Sequence, residues 1–328
     1  MNIVIAGGTG FLGRPLAAAL AHDGHDVVVL TRDSTASPGA GSSRSPSEAP
    51  AGSPQAGRAA APVARTRAVP WTPNGESGPW AAEIDGAGAV VNLAGESIAG
   101  ARWTAAHKQR ILDSRVQATR SLAAAIQAAA TPPPVFISGS AVGYYGPLGD
   151  DAATETTRVG SDFLAHVCER WEQEAMRASS DRTRVVCVRT GIVLEKDGGA
   201  LPQMLPPFSF GAGGPVGSGR QYWPWIHRDD WVALVRWAIA TPAVSGALNA
   251  TAPRPVTNAA FARALGRAMH RPAFMPAPGF ALRLLLGEMA DALLLSGQNA
   301  VPAKATREGF QFRYPDLDDA LRAIFARV

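Results

Sequence analysis

The sequence predicts an α/β protein with a doubly wound parallel sheet and a smaller C-terminal α/β lobe. Along the first 191 residues, short apolar runs typical of buried strands alternate with stretches of helical spacing. Such alternation is characteristic of parallel sheets whose crossover connections are helices. After residue 191 the pattern changes to Gly- and Pro-rich loops followed by a second set of helices. A chain of 328 residues is long enough to build both parts.

The first β-α-β unit begins at the N-terminus. Residues 2–6 form an apolar run, an Ala- and Leu-rich helical stretch extends to residue 21, and residues 26–30 form a second run. Residues 33–65 then consist almost entirely of Ala, Gly, Ser, Pro and a few Arg. This segment has too few apolar side chains to offset its ordering entropy, so we predict a disordered surface insertion.

The remaining elements continue the alternation, with ordered structure resuming at residues 66–71. Asp229 or Asp230 is the expected N-cap of a helix that ends near residue 240. We predict further strands at residues 87–93, 135–138 and 184–189, and helices at residues 104–129, 161–179, 258–269, 280–295 and 317–327.

Composition and charge exclude several classes of protein. The formal charge of +4 comes from basic residues scattered along the chain, whereas a nucleic-acid-binding protein concentrates them in a stripe. Residues 280–295 are too short and too interrupted by charge to span a bilayer, and the N-terminus lacks the pattern of a signal peptide. Cys168 and Cys187 lack metal-ligand spacing. We therefore expect a cytoplasmic protein with buried thiols, no metal site, and no nucleic-acid or membrane partner.

Three glycines form the strongest chemical signal in the chain. Gly7, Gly10 and Gly13 follow the first predicted strand and open the first predicted helix. Glycine permits a sharp turn and a close approach of the backbone to a pyrophosphate, which the helix N-terminus then attracts. Within a β-α-β unit this spacing indicates a Rossmann-type dinucleotide site, the alternative being a tight turn without a nucleotide. We place the nucleotide-binding domain at residues 1–191, the smaller substrate lobe at 192–328, and a helical module within that lobe at 275–328.

The end of the second strand bears on the choice between NAD and NADP. An acidic side chain there would bond the ribose 2′-hydroxyl and repel a 2′-phosphate. This chain has Thr31 and Arg32, a pair suited to a 2′-phosphate through charge-assisted hydrogen bonds. Asp33 follows at once, so the choice depends on which side chain points inward. We predict NADP(H).

Several segments together resemble a known family. Residues 7–13, 92–95 and 138–140 resemble the extended short-chain dehydrogenase/reductases. The chain more narrowly resembles the atypical "epimerase family protein" subfamily, which is NAD-dependent epimerase/dehydratase-like and has a small C-terminal module. This narrower resemblance rests on residues 92–98, 102–103, 114–115, 143–146, 189–194, 213–221 and 225–227, and on 297–298 and 308–310 for the module.

The resemblance implies that NADP(H) contacts the chain at matching positions. Arg115 lies on the predicted long helix, where the alternative to a phosphate or ribose contact is a surface ion pair. The implied cofactor-binding residues are Gly7, Thr9, Gly10, Phe11, Leu12, Gly13, Thr31, Arg32, Leu93, Ala94, Gly95, Arg115 and Val193.

The sequence departs from the family at the acid–base site. Active short-chain dehydrogenases carry a Tyr-x-x-x-Lys pair on the helix after the Ser-bearing strand. The Tyr acts as acid or base, and the Lys lowers the pKa of that Tyr. Residues 163–172, on the corresponding helix, contain neither Tyr nor Lys.

Four residues are candidates for the remaining chemistry. Ser140 matches the Ser that polarises the substrate carbonyl, and its alternative is a strand-end residue that bonds the backbone. Tyr144 and Tyr145 could replace the missing acid if a cation lowered their ordinary pKa of about 10, or could form an aromatic wall. Glu96 follows the fourth strand and could serve as a base, a substrate anchor or a cap.

Two segments of the second lobe also bear on function. His227 is expected to have a structural role. The loop at residues 211–221, with Arg220 and Gln221, resembles a substrate-side loop that contacts nucleotide-sugar phosphates.

The predicted function is that of an NADP(H)-dependent oxidoreductase acting on a small carbonyl or alcohol that is polar, phosphorylated or nucleotide-linked. One alternative is a nucleotide-sugar epimerase or dehydratase, against which the missing Tyr-x-x-x-Lys pair counts. Another is a non-catalytic NADP(H)-binding sensor or partner protein. By analogy with short-chain dehydrogenases, which pair through helices beside the sheet, we expect a homodimer.

Overall fold

A computed structural model describes residues 1–32 and 65–326 of the chain. The predicted insertion at residues 33–65 lies, except for Arg65, outside the described residues. The last residue of the helix predicted at 317–327 lies outside them as well.

The described elements alternate between strands and helices. The strands are β1 (Asn2–Ala6), β2 (Asp26–Thr31), β3 (Thr66–Pro70), β4 (Ala89–Asn92), β5 (Val135–Ala141), β6 (Ala152–Ala153), β7 (Arg184–Thr190), β8 (Ile192–Leu194), β9 (Tyr222–Trp223), β10 (Trp225–His227), β11 (Gly246–Ala250), β12 (Val256–Thr257) and β13 (Asn299–Ala300). The helices are α1 (Gly13–His22), α2 (Ala105–Ala128), α3 (Phe163–Met176), α4 (Leu201–Ser209), α5 (Arg228–Ala240), α6 (Asn258–Met269), α7 (Gly279–Leu286), α8 (Glu288–Ala290), α9 (Ala303–Arg307) and α10 (Leu317–Ala326), with short 3₁₀ helices at Pro79–Glu83 and Val142–Tyr145 and a π-helical turn at Asp291–Leu295.

The central sheet has seven parallel strands in the order β11-β7-β5-β4-β1-β2-β3. In register, Ile3 of β1 stands between Val27 of β2 and Ala89 of β4. The chain moves outward from β1 through β2 and β3, then returns to β4 and proceeds the other way. This reversal leaves a crevice at the carboxyl ends of β1 and β4, where open α/β sheets bind ligands. The predicted doubly wound sheet is confirmed.

Both faces of the sheet are buried, which explains the continuous apolar strands in the sequence. Ile3 and Ile5 pack on one face against side chains of α1 and α5. Val4 and Ala6 point to the other face, where they belong to the same core as side chains of α2 and α3. The helices therefore cover the sheet from both sides, and the strand ends remain as the open edge.

Helix starts follow capping chemistry that the sequence carries. Thr104, Asp162 and Thr257 each accept a hydrogen bond from the backbone N–H three residues on, at the starts of α2, α3 and α6. The predicted helices at residues 104–129, 161–179 and 258–269 are confirmed to within a few residues.

The predicted N-cap of α5 is wrong. The helix begins at Arg228, and its N-cap is His227, whose Nδ1 accepts from the backbone N–H of Asp229 at 3.0 Å. Asp230 is buried, and its carboxylate accepts the backbone N–H groups of Arg313 and Tyr314 at 2.8 and 2.9 Å. The structural role expected for His227 agrees with this geometry. Asp230 instead ties the C-terminal segment to the first turn of α5.

One helix of the C-terminal lobe differs from the prediction. The helix predicted at residues 280–295 is broken at Gly287, whose φ of 62° is in the left-handed region that favours glycine. Strand β11, within the lobe placed at residues 192–328, returns to pair with β7, so the lobe interleaves with the sheet as lobes of this kind usually do. The boundary after residue 191 stays a prediction. Within the lobe, α6 and α10 share a core of their own that includes Phe261 and Leu321. Among the described helices, none is long and apolar enough to cross a membrane.

The role of Asp230 gives a first prediction. Asp230→Ala leaves two buried amide N–H groups without their acceptor, and we expect the free energy of unfolding to fall by roughly 2–4 kcal/mol in urea denaturation. Asp229→Ala, in the same turn but more exposed, is the control and should lose about 1 kcal/mol or less. Equal losses in the two variants would contradict this role.

Candidate active site

A cleft of about 640 Å³ lies at the carboxyl ends of β1, β4 and β5. The predicted site residues that line it are Gly7, Gly10, Phe11, Leu12, Gly13, Leu93, Gly95, Glu96, Arg115 and Ser140. The predicted site residues that do not line it are Thr9, Thr31, Arg32, Ala94, Tyr144, Tyr145 and Val193.

Two glycines of the loop at the start of the cleft have no room for a side chain. A Cβ atom at Gly7, where φ is 78°, would lie 2.8 Å from the backbone carbonyl group of Leu93. A Cβ atom at Gly13 would lie 2.2 Å from the carbonyl oxygen of Gly7. The first turn of α1 faces the cleft, since Leu12 and Gly13 line it, and within the described residues no side chain caps this helix. Its amides and dipole form the kind of site that binds phosphate.

Asn92 fixes the loop that follows β4. Its side chain is fully buried, its Oδ1 accepts from the backbone N–H of Ala94 at 3.1 Å, and its Nδ2 donates to Thr119 Oγ1 at 2.8 Å. The loop from Leu93 onward thereby keeps its backbone against Gly7. In the sequence, Asn92 was only part of a motif that resembles the family, and its role in positioning this loop was not predicted.

Arg115 brings a positive charge from α2 to the cleft. Its Nη1 donates to the carbonyl oxygens of Glu96 and Ile111, both at 3.0 Å, and its guanidinium carbon lies 5.2 Å from the centroid of the Trp171 ring. Burial lowers the pKa of Arg115 from its usual value, but the group stays charged at neutral pH. Within the described ranges it forms no ion pair with a carboxylate, so the surface ion pair considered above is not found there.

Ser140 is anchored by a buried ion pair. Its Oγ donates to Glu172 Oε1 at 2.7 Å. Arg189 holds both oxygens of the same carboxylate, with Nε and Nη2 each donating at 2.8 Å. The Arg189 side chain is 4% exposed and that of Glu172 is 12% exposed, so solvent screens this pair very little. The Glu172 carboxylate, itself held by Arg189, therefore fixes the position of the Ser140 hydroxyl at the cleft.

The two tyrosines lie behind Ser140. The ring of Tyr144 stacks on the Arg189 guanidinium at 3.4 Å from centroid to carbon. The Tyr145 hydroxyl donates to Asn249 Oδ1 at 2.6 Å and accepts from Arg189 Nη1 at 3.1 Å. Burial raises the pKa of Tyr145 to about 12 in spite of the neighbouring guanidinium. Because Tyr145 is 1% exposed and its hydroxyl is occupied, the geometry favours a structural role over the predicted catalytic one.

Helix α3, on which the acid–base pair was expected, presents Leu164 and Cys168 to the cleft. Leu164 and Cys168 stand one turn apart and both line the cleft, with the spacing of Tyr and Lys in Tyr-x-x-x-Lys. Burial raises the pKa of Cys168 to about 12, so its thiol stays neutral at physiological pH. A neutral thiol carries no positive charge that could lower the pKa of a neighbouring acid.

Glu96 lines the cleft but is drawn towards α2. Its Oε1 accepts from Arg110 Nε at 3.2 Å and lies 3.3 Å from His107 Nδ1. Its backbone N–H donates to Ser114 Oγ at 3.0 Å. These contacts fit an anchor for the loop after β4 better than a free base.

The C-terminal module closes the far end of the cleft, which sequence reasoning did not foresee. Ala292 and Leu293 line the cleft from the π-helical turn. Gln221, on the loop expected to contact substrate phosphates, instead donates through Nε2 to the carbonyl oxygens of Val216 and Leu294 at 3.0 and 2.7 Å. Arg220 is exposed and does not line the cleft. The loop at residues 211–221 therefore holds the module in place.

The fold and the cleft define a Rossmann-type protein of the short-chain dehydrogenase/reductase kind. The chain belongs to the NAD dependent epimerase/dehydratase family, which matches residues 3–250. A second family, described as a domain of unknown function (DUF1731), matches residues 277–324 and corresponds to the C-terminal module.

The chain is similar to several epimerase family proteins. It is 39% identical over 326 residues to the epimerase family protein SDR39U1 homolog, chloroplastic, of Arabidopsis thaliana, covering 99% of this chain and 86% of that protein. It is 40% identical over 320 residues to an epimerase family protein of Mycobacterium leprae, covering 97% and 94%. The crystal structure of human epimerase family protein SDR39U1 (isoform 2) with NADPH superposes with a TM-score of 0.84 at 33% identity, covering 100% of both chains. The subfamily that the motifs resemble is confirmed.

The buried pair behind Ser140 gives a second prediction. Glu172→Ala leaves the Arg189 guanidinium buried without its carboxylate, so we expect a loss of roughly 3–5 kcal/mol in the free energy of unfolding. Gln173→Ala, exposed on the same helix, is the control and should stay within about 0.5 kcal/mol of the wild type. A Glu172→Ala variant as stable as the control would show that the pair does not hold β7 to α3.

Proposed function

We propose that the protein is an NADP(H)-dependent oxidoreductase that interconverts a carbonyl and an alcohol at Ser140. The observation that carries this proposal is one continuous cleft that joins the glycine loop to the anchored hydroxyl of Ser140. The human relative crystallised with NADPH supports the choice of cofactor.

The residues present fit a dinucleotide. The side-chain-free loop at Gly7 and Gly13 and the uncapped first turn of α1 would hold the pyrophosphate. Arg115 would offer its charge to the cofactor along the wall formed by Leu93 and Gly95. Arg32, exposed at the end of β2, would bind the 2′-phosphate.

Ser140 can serve both members of a carbonyl–alcohol pair. Bound NADPH would supply the hydride, with its electron pair, that the carbonyl carbon needs, and solvent would supply the proton for the oxygen, so that the products are the alcohol and NADP⁺. While the Ser140 hydroxyl donates its hydrogen bond to Glu172 Oε1, its Oγ can accept a hydrogen bond from the hydroxyl of an alcohol. With its proton turned to the cleft, it donates to a carbonyl oxygen, and Glu172 keeps both hydrogen bonds from Arg189.

Catalysis by this site should be slow. The cleft face of α3 offers no acid, and a positioned general acid contributes about 10²–10⁴-fold in rate. We therefore expect turnover lower by roughly that factor than in relatives that carry Tyr-x-x-x-Lys.

A second function, that of a non-catalytic NADP(H)-binding sensor, is favoured by one observation. Leu164 and Cys168, four residues apart on α3, line the cleft, and neither can act as the Tyr or the Lys of a Tyr-x-x-x-Lys pair. The two functions differ in whether they require the Ser140 hydroxyl. An oxidoreductase needs it for turnover, whereas a sensor needs only the residues that bind the cofactor.

The cofactor assignment gives a third prediction. Arg32→Ala should weaken NADPH binding by about 10- to 100-fold in calorimetry, because charge-assisted hydrogen bonds to the 2′-phosphate are lost. NADH, which has no 2′-phosphate, is the internal control and should bind this variant and the wild type equally. Unchanged discrimination between NADPH and NADH would reject Arg32 as the 2′-phosphate ligand.

The role of Ser140 gives a fourth prediction. Ser140→Ala should lower kcat for NADPH-dependent ketone reduction by at least roughly 100-fold while leaving the affinity for NADPH unchanged. Ser138→Ala, two residues earlier on β5 and not lining the cleft, is the matched control and should keep its activity. Equal activity in both variants would favour the sensor.

A further inference from the structure

The cleft has a distal part, made by the face of α3, strand β9 and the π-helical turn of the C-terminal module. None of these elements carries the glycine loop, which joins β1 to α1. The side chains that define it are Leu164, Val167, Tyr222, Trp223, Ala292 and Leu293.

The distal part contains no charged side chain among the described residues. Glu96 and Arg115 are the charged residues that line the cleft in the described ranges. Both belong to the side formed by β4 and α2, where Arg115 already donates to the carbonyl oxygens of Glu96 and Ile111. The polar groups of the distal part and its neighbourhood are neutral, namely Ser140, the phenol of Tyr222, Ser296 and Gln298.

This lining does not suit a phosphorylated ligand. Desolvating a diphosphate without a cation carries a large penalty, and sites for phosphate groups are built from Arg, Lys or free backbone amides. Arg220, the residue expected to reach such a phosphate, is exposed and away from the cleft. Lys108, at the N-terminal end of α2, pairs with Glu288 at 2.7 Å and does not line the cleft either.

We propose that the substrate of this site is a ketone, aldehyde or alcohol with an apolar aryl or alkyl body, and not a phosphorylated or nucleotide-linked sugar. The reacting group is taken from the proposed function; the apolar body is inferred from the distal part. Ser140 holds the oxygen, and Leu164 from α3 and Leu293 from the C-terminal module contact the body from two sides. The module thereby acquires a specificity function.

Calorimetry on the full chain with saturating NADP⁺ tests the substrate class without requiring turnover. The probes are butan-2-one, hexan-2-one, octan-2-one and 4-phenylbutan-2-one, with dihydroxyacetone phosphate and UDP-glucose as the polar comparison. We expect affinity to rise about fourfold per added methylene as apolar surface is buried, and 4-phenylbutan-2-one to bind at least about tenfold tighter than either phosphorylated compound.

A pair of variants locates the binding surface. Leu293→Asp should weaken 4-phenylbutan-2-one binding by at least roughly tenfold, because the apolar body would lie against a carboxylate. Leu285 lies in the same module on α7, is exposed and does not line the cleft. The Leu285→Asp variant is therefore the control and should bind the ketone as the wild type does. Leu293→Ala provides the same test, with a smaller loss, if the aspartate variant does not fold.

Tighter binding of dihydroxyacetone phosphate or UDP-glucose, a flat ketone series, or the same loss in both aspartate variants would overturn this inference. NADPH oxidation in the presence of each ketone is measured separately. A ketone that binds as expected but is never reduced would contradict the proposed oxidoreductase function alone and leave the apolar site standing.

Discussion

The structure depends on the contact of three backbone segments at the carboxyl end of β1. Gly7 lies against the carbonyl group of Leu93, and Gly13 lies against the carbonyl oxygen of Gly7, with less space at each glycine than a methyl group requires. This packing sets the first turn of α1 against the loop after β4, and the buried Asn92 secures that loop from below. A phosphate-binding helix end is thereby brought to the crevice where the strand order reverses.

A second interaction extends the site beyond the cofactor cradle. The Arg189–Glu172 pair joins β7 to α3 and orients Ser140 at the end of β5. Through Tyr145 the same guanidinium reaches Asn249 of β11, whose Nδ2 donates to the carbonyl oxygen of Val301 in the C-terminal module at 2.9 Å. The polar network therefore links the reactive hydroxyl to the module that closes the cleft.

Local patterns predicted much of the fold, and long-range contacts set what could not be predicted. The glycine spacing after an apolar strand predicted the phosphate-binding loop, because the tight backbone turn that requires glycine lies within a few consecutive residues. The Ser140–Glu172 and Tyr145–Asn249 contacts join residues 32 and 104 positions apart, for which a single sequence carries no signal. The position of Leu293 in the cleft was not predicted, because it depends on how the C-terminal module packs against the rest of the fold. The N-cap role of His227 was not predicted, because histidine is an uncommon N-cap residue.

Calorimetric titration of NADPH into the wild type, Gly13→Ala and Gly149→Ala measures whether this backbone contact builds the phosphate site. A Cβ atom at Gly13 would lie 2.2 Å from the Gly7 carbonyl oxygen, whereas one at Gly149 would meet nothing within 4 Å. We expect tight binding by the wild type and Gly149→Ala, and an affinity at least roughly tenfold lower in Gly13→Ala, because α1 is pushed from the loop. Equal NADPH affinity in all three proteins, or no binding by the wild type, would contradict this expectation.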